Sequence, residues 1–438
     1  MKRKAQVVLG LLLWFGVMAL GCDQTPTIQP TLEPTVTPTE APQETVLTLG
    51  AWRTSTERMN RVLNKFQALN PQIRVRFEPS LSGEYDAVIQ AQLESGQAPD
   101  LFFLRSFSAS QELFEQGYLK PLDDLPGLRD NFDPVMLAPW RTKEGIPYGV
   151  PFTATSHGIY YNADIFEALD LSIPETWEAL LTTAQRLQDA GYIPFANASK
   201  DLWTMAEIVF MNLAPNFIGG REGRMAYLNG ERCFNDEHVV AAFQAVEDLA
   251  PFFPEDHALL GYLDSLQLFL QGKAAMWMSG SWDIPYLEEA EPDFTWSVFA
   301  VPPPAGQPAY VTFHLDVAIG LNSASQHQRE ARAFLEWLTT PQFGQLLGNE
   351  MPGFFPMHRD VPALTDEHAN TFLSLNQGRG TDIRFAWEKL RDGSPDGYTL
   401  MQEGALAVLR GEQTPQEAAD ALQAGLAQWF APAQTCGE

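Results

Sequence analysis

Positive charge is scarce in this sequence, and the shortage limits the classes of partner. The chain has 28 Lys and Arg residues against 55 Asp and Glu residues, a formal net charge of −27. Without a basic stripe, neither a nucleic acid nor an anionic lipid surface is an expected partner. We interpret the carboxylates as solvated surface, and their excess argues against a highly anionic ligand.

Short catalytic motifs are also missing. There is no G-x-S-x-G nucleophile elbow, no H-E-x-x-H zinc motif and no G-x-x-x-x-G-K-[ST] phosphate loop. Carboxylates are too numerous for any pair to stand out as the acid and base of a glycosidase. We therefore expect a protein that is not an enzyme and uses no cofactor or metal, with a secreted glycosidase as the competing hypothesis.

The first residues have the layout of a secretory signal. Basic residues at positions 2–4 precede the uncharged stretch 7–20, which is shorter than the ~20 apolar residues of a membrane span. The stretch ends at Gly21-Cys22, which resembles the lipobox of bacterial lipoproteins, although Ala19 replaces the usual larger aliphatic residue. Residues 1–21 are thus expected to be a lipoprotein signal peptide and Cys22 the lipidated residue, with ordinary signal cleavage as the alternative.

A tether is predicted over residues 22–45. The segment is rich in Pro and Thr and has almost no periodic apolar residues. Such a chain cannot bury enough surface to offset its ordering entropy, and proline keeps it extended. It is typical of a spacer that holds a domain away from a membrane.

Cysteine is rare, with only three residues in the chain. No C-x-x-C or Cys/His spacing is present, which disfavours a zinc site. Cys233 and Cys436 would lie outside the cell, where a disulfide persists. Their spacing leaves open whether they pair with each other.

The remaining chain alternates strand and helix patterns. Apolar run 46–49, a helical stripe from Met59 to Leu69 and alternating apolar residues at 73–77 form a β-α-β unit, which implies parallel strands. This alternation predicts an α/β fold. The other expected features are capping boxes at Thr54/Glu57 and Thr414/Glu417, strands at 101–104, 274–278 and 317–319, a helix near Trp177, and a terminal helix with Leu422, Leu426 and Trp429 on one stripe.

Several short segments carry a family resemblance through their order and spacing. They are APD at 98–100, GYLKPLD at 117–123, GVPF at 149–152, YYNAD at 160–164, PETW at 174–177, GKAAM at 272–276 and GSW at 280–282. As an ordered set they resemble the extracellular solute-binding proteins of the maltose-binding type, which serve carbohydrate ABC importers. The resemblance covers nearly all of the chain after the tether. It implies a two-lobed α/β periplasmic-binding-protein fold of type II with a hinged interlobe cleft.

We expect one lobe over 46–152 and 304–355, and another over 158–302 and 357–430. The resemblance implies a monomeric lipoprotein, outside the cytoplasm and anchored to the bacterial membrane. It would capture a mono- or oligosaccharide and deliver it to a two-subunit ABC permease. Service to a sensor kinase instead of a permease stays open, as does the identity of the sugar.

Candidate ligand-binding residues follow from where strands end. Ligands of open α/β sheets bind beyond the carboxyl ends of strands, and sugars pack their C–H faces on Trp while their hydroxyls bond to planar polar groups. Trp282 follows the 274–278 strand, and Trp52 and Arg53 end the first strand. Crossings between the lobes are expected near 153–157, 301–304 and 352–357. Further candidates lie in loops, at the first crossing or beside strands: Glu84, Arg105, Ser106, His157, His314 and Asp316. The family resemblance implies two more, Arg384 and Trp387, which lie where a late tryptophan of the family often contacts the sugar.

Overall fold

The computed structural model describes residues 44–52 and 54–437, so Cys22, Arg53, the signal peptide and most of the tether lie outside the described residues. The strands are β1 Thr45–Trp52, β2 Ile73–Ser80, β3 Leu101–Arg105, β4 Val150–Asn162, β5 Ile193–Phe195, β6 Ala274–Gly280, β7 Trp296–Phe299, β8 Tyr310–Leu321 and β9 Gly380–Asp382. They follow the order β2-β1-β3-β8-β4-β6-β5, with β7 beside β4 and β9 beside β8.

Helices surround this sheet path. The α-helices are α1 Thr56–Leu69, α2 Tyr85–Glu94, α3 Ser108–Glu115, α4 Pro134–Leu137, α5 Ala163–Ala168, α6 Trp177–Asp189, α7 Met211–Ile218, α8 Gly220–Leu228, α9 Glu237–Leu249, α10 Tyr262–Leu270, α11 Ile284–Ala290, α12 Gln328–Leu338, α13 Pro341–Glu350, α14 Glu367–Ser374, α15 Gly397–Leu409, α16 Pro415–Leu426 and α17 Ala431–Gln434. Short 3-10 helices lie at Ala138–Trp140, Ala250–Phe252 and Ser281–Asp283, and a π-helix at Thr204–Phe210. Within the described ranges, no helix has both the length and the apolar character that a membrane span needs.

Two long strands connect the two sides of the sheet path. β4 pairs with β8 from Val150 to Ser156 and with β6 from His157 to Tyr161. β8 pairs with β9 at its start and with β3 over its last five residues. We call β1, β2 and β3 the β1 side, and β5, β6, β7 and β9 the β6 side. Both long strands therefore pass from one side to the other within their own length.

The local predictions for the β1 side are mostly confirmed. β1 and β2 pair in parallel around α1, and the residues at 73–77 alternate between buried and exposed. The capping box at Thr54 and Glu57 is wrong, because the N-cap of α1 is Ser55, whose hydroxyl accepts the Arg58 N–H. Leu69 is 68% exposed because it lies on the last turn, beyond the buried stripe.

Two other expectations need correction. His314 and Asp316 lie inside β8 rather than before it, because the strand begins at Tyr310 and its early residues already pair with β4 and β9. Trp429 lies past the end of α16, where its indole N–H donates to the Pro395 carbonyl at 2.7 Å. The capping box of Thr414 and Glu417 forms as expected.

The packing differs between the two sides. On the β1 side, α1, α12 and α13 bring apolar residues such as Phe66, Phe334 and Phe343 against the sheet. The β6 side has a second core in which α6, α7, α9, α15 and α16 pack around residues such as Phe210 and Phe243. Cys233 and Cys436 pair as a disulfide, with their Cα atoms 5.1 Å apart, so the pairing left open by the sequence is formed.

Candidate ligand-binding cleft

A cleft of about 890 Å³ lies between the β1 side and the β6 side. Aromatic and charged side chains dominate its walls. The aromatic lining consists of Trp52, Trp203, Tyr262, Trp282, Tyr286, Phe354 and Tyr398. The charged lining consists of Glu84, Asp86, Arg105, Lys200, Asp201, Glu207, Asp264, Asp316, Arg384 and Arg391.

The wall from the β1 side is built on the ends of two adjacent strands. Trp52 ends β1 and packs edge-on against Tyr85 and Phe103, which fixes its ring. Arg105 ends β3, and its guanidinium carbon lies 4.7 Å from the centre of the Trp52 ring. The same guanidinium Nε contacts both carboxylate oxygens of Asp86, at 2.8 and 2.9 Å. The cation is thus held in place and neutralised before any ligand arrives.

Arg384 lies on the floor of the cleft, and its side chain is only 3% exposed. Its Nη1 lies 3.0 Å from Glu207 Oε2 and 3.1 Å from Asp316 Oδ1. Its Nε–H donates to His157 Nε2 at 3.2 Å. Burial raises the pKa of Asp316, and the nearby Arg384 cation opposes that rise. A buried charge needs partners of this kind. Both Nη1 and Nε of Arg384 have them.

Two buried histidines support this floor from below. Burial and the Arg384 cation hold the pKa of both His157 and His314 well below the usual value of 6.5, so both rings are neutral. His314 Nδ1 accepts the Arg384 backbone N–H at 3.5 Å, which leaves Nε2 to donate to the Ser106 hydroxyl at 3.0 Å. The His314 ring also packs edge-on against Trp387, 5.2 Å away.

The wall from the β6 side centres on Trp282, which follows β6 on a single 3-10 turn. Its indole N–H donates to the Tyr262 hydroxyl at 2.8 Å, and the edge of His157 packs 5.0 Å from it. A Cβ atom at Gly280 would lie 2.0 Å from Cζ3 of Trp282. Glycine at that position therefore allows the indole to fold back over the end of the strand.

The structure brings six of the candidate residues into the cleft lining: Trp52, Glu84, Arg105, Trp282, Asp316 and Arg384. Another group lies buried directly behind them and contacts them, namely Ser106, His157, His314 and Trp387. Arg53 lies outside the described residues. The described candidates thus lie in one region, some as wall and some as support.

Several lining residues were not singled out by the sequence reasoning. Asp86 lies on α2, Glu207 on the π-helix, Tyr262 at the start of α10 and Tyr398 on α15. All of them lie on helices, so a rule about strand ends could not find them. The available signal was the Gly261-Tyr262 helix start, because helix N-termini border clefts of this kind.

Comparison with known proteins decides the family. The family model described as bacterial extracellular solute-binding protein matches residues 51–345. The chain belongs to the bacterial extracellular solute-binding protein family. The resemblance drawn from the ordered segments is therefore confirmed.

Relatives and solved structures agree with this membership. An uncharacterized ABC transporter extracellular-binding protein of Pyrococcus horikoshii is 25% identical over 83% of the chain and 82% of its own length. The multiple sugar-binding protein of Streptococcus mutans is 24% identical over 64% of the chain and 68% of its own length. A structure described in work on xylan utilization by the thermophilic bacterium Caldanaerobius polysaccharolyticus superposes with a TM-score of 0.76 at 20% identity, covering 87% of this chain and 99% of that one.

These matches confirm the predicted two-lobed α/β fold of the maltose-binding type for this solute-binding protein. Its charged lining has six carboxylates against four cations, and the most buried cation, Arg384, already has carboxylate partners. A highly anionic solute would therefore meet no unpaired guanidinium on the cleft floor. Aromatic faces beside pre-paired polar groups instead suit a neutral solute with many hydroxyls.

Proposed function

We propose that this protein is the substrate-binding component of an ABC importer and that its cleft captures a neutral oligosaccharide. The observation that carries the proposal is the lining itself. Trp52 from the β1 side and Trp282 from the β6 side offer flat apolar faces. Arg105 and Arg384, already ion-paired, offer fixed N–H groups between those faces. The names of the Streptococcus mutans relative and of the xylan-related structure support a sugar.

The size of the cleft favours more than one sugar ring. Its volume of about 890 Å³ lies at the upper end of the roughly 300–1,000 Å³ typical of small-molecule sites. The aromatic rings come from several separate elements, including β1, α10 and α15. Successive sugar rings would each find a face, whereas a single ring would leave much of the wall unused.

A panel of soluble sugars is expected to single out neutral oligosaccharides. A ligand that binds the native state at 100 times its Kd raises the free energy of unfolding by about 2.7 kcal/mol. Differential scanning fluorimetry of the protein from residue 23 onward, against neutral oligosaccharides, uronate oligosaccharides and amino acids, measures this. A response confined to uronates or amino acids would contradict the proposal.

Trp282→Ala is expected to weaken the best ligand of that panel by tenfold to a hundredfold. A lost stacking face commonly costs ~1–3 kcal/mol, by analogy with stacking on nucleic-acid bases. Isothermal titration calorimetry measures the change. Trp337→Ala is the matched control, because Trp337 is half-buried on α12 and does not line the cleft. Equal affinities of wild type and Trp282→Ala would remove Trp282 from the site.

We further propose that the bound sugar leaves unchanged. Glu207 and Asp316 both contact Nη1 of Arg384, at 3.0 and 3.1 Å, so the two carboxylates at the cleft floor are occupied by an ion pair. A glycosidase needs a carboxyl group free to donate a proton to the glycosidic oxygen, and these two are already engaged by Arg384. The secreted-glycosidase alternative thus loses its most central carboxylates.

The lobes are proposed to comprise 46–152 with 304–355, and 158–302 with 357–430. The exchange of partners along β4, from β8 at Ser156 to β6 at His157, supports a crossing at that point. A sugar that touches both walls binds the closed form better and shifts the population toward it. A two-subunit permease, or a sensor kinase, would then recognise the closed form of a monomeric binding protein.

Lipid anchoring through Cys22 is the proposed localisation, outside the cytoplasm on the bacterial membrane. Cys22→Ala is expected to release the protein from the membrane fraction, because a lipidated residue and not the folded body would hold it there. Fractionation and immunoblotting measure the distribution. A variant that sediments with membranes as fully as wild type would rule out the lipoprotein assignment.

A further inference from the structure

Behind the wall on the β6 side lies a carboxyl group with no access to solvent. Asp283 ends the 3-10 turn that carries Trp282 and has a relative exposure of 0%. The Tyr262 hydroxyl donates to Oδ1 and the Ser279 hydroxyl donates to Oδ2, each at 2.5 Å. No ion pair joins Asp283 to a cation among the residues that the structure describes. Within the described part of the chain, hydroxyl groups alone hold this buried carboxyl group.

These hydrogen bonds continue to the cleft surface. The Tyr262 hydroxyl donates its proton to the hydrogen bond with Asp283. Its oxygen lone pairs therefore face outward and accept the Trp282 indole N–H at 2.8 Å. The backbone N–H of Tyr262 is fixed as well, since it donates to Asp201 Oδ2 at 2.7 Å. Tyr262 and Trp282 both line the cleft. The direction of the buried Tyr262 O–H bond therefore bears on the orientation of two aromatic side chains of the wall.

We propose that Asp283 is a positioning residue of the ligand site: it directs the Tyr262 hydroxyl and thereby fixes the plane of Trp282 against which the sugar packs. The role of Trp282 in this statement rests on the proposed function. Asp283 itself touches no ligand, because it lies behind the wall. Removal of its charge would leave the fold in place and change how the Tyr262 hydroxyl is shared between Asp283 and the indole.

The surroundings make this carboxyl group responsive to pH. Burial raises the pKa of Asp283 to about 7, although the hydroxyls of Ser279 and Tyr262 oppose the rise. The titratable groups that act on it are Tyr262 from α10 and Tyr160 from β4, and burial raises the pKa of both. Neither tyrosine changes charge near neutrality. Burial also raises the pKa of Glu288, on the adjacent helix α11, to about 7. A transition near pH 7 is therefore assigned to Asp283 only if it disappears when Asp283 is replaced.

Other charged and titratable groups touch the indole directly and must be separated from Asp283. The Arg384 guanidinium carbon lies 5.5 Å from the Trp282 ring and stays charged throughout. His157 packs edge-on against the same ring, and burial holds its pKa well below 6.5, so it stays neutral near pH 7. When Asp283 takes up a proton, one of its oxygens becomes a donor, and the Tyr262 hydroxyl no longer has to point inward.

The test follows the Trp282 indole N–H resonance in ligand-free protein labelled with 15N-tryptophan, from about pH 5 to about pH 9. Trp282→Phe assigns the resonance by its disappearance. In wild type we expect its chemical shift to move with a midpoint near pH 7. A shift that stays flat through this range would overturn the proposal.

We call the hydrogen bonds from Asp283 through the Tyr262 hydroxyl to the Trp282 indole the relay. Two variants separate it from a general structural effect. Asp283→Asn keeps the size of the side chain and removes its charge, so the Trp282 resonance should persist without a transition near pH 7. Tyr262→Phe keeps Asp283 and breaks the connection, so the transition should vanish from the indole there too. A transition that persists in either variant would contradict the relay. Because no sugar is needed, failure here is distinguishable from failure of the sugar-binding proposal.

Discussion

Replacing Arg384 by methionine is expected to lower the free energy of unfolding by about 3–5 kcal/mol, the usual cost of breaking a buried ion pair by removing one partner. The change leaves Glu207 and Asp316 facing each other at the cleft floor, where their side chains are only 11% and 12% exposed. It also removes the donor to His157 Nε2. Urea denaturation monitored by circular dichroism measures the loss.

Arg391→Met is the matched control for this variant. Arg391 also lines the cleft, but its guanidinium stacks on Trp387 and Tyr398, at 4.7 and 4.8 Å, and forms no salt bridge in the described part of the chain. Loss of such stacking costs about 1 kcal/mol. If both variants lose the same small amount, Arg384 is not the electrostatic centre of the cleft. Arg384→Lys should recover only part of the loss, because an ammonium group lacks the planar fork.

Replacement of Cys233 and Cys436 by serine together is expected to lower the free energy of unfolding by about 5 kcal/mol. The disulfide joins residues 203 positions apart, and in the chain-entropy account such a long loop restricts the unfolded state strongly. It also ties the segment after α17 to the segment before α9. Guanidinium denaturation of both proteins under oxidising conditions measures the difference.

The control for the disulfide is the reduced wild type. With a thiol reductant, wild type should fall to the stability of the double variant, while the variant itself should not respond. A variant as stable as oxidised wild type would show that the bond does not constrain the unfolded chain. A loss confined to the variant would point to packing at the serine positions instead.

Much of the framework followed from the sequence because it depends on local pattern. Uninterrupted apolar runs such as 101–104 and 274–278 are long enough for a strand and too short for a helix. The strand-end rule predicted Trp52 and Trp282 as ligand-binding residues, since ligands of α/β sheets bind beyond the carboxyl ends of strands, and both residues line the cleft. Periodicity fails in β8, where Thr312, His314 and Asp316 are polar residues of a mostly buried strand.

The rest of the cleft depends on contacts between distant parts of the chain. Glu207 and Tyr398 meet at 3.0 Å although 191 positions separate them, and neither follows a strand. Ser55, the N-cap of α1 in place of the predicted Thr54, also donates its hydroxyl proton to Glu289, 234 positions away. No local pattern in a single sequence encodes such pairs, because each partner alone has the composition of an ordinary solvated helix or loop.

The two strands shared by both sides have a consequence for how the protein melts. β4 and β8 are hydrogen-bonded to each other, and each also belongs to the ladder of a neighbour on one side or the other. If one side unfolded, the other side would lose a paired strand from its sheet. The apolar residues at the edge of the remaining sheet would then be exposed. Heat should therefore unfold both sides in one cooperative transition. The two strands that are proposed to permit closure would thus also prevent either side from staying folded alone.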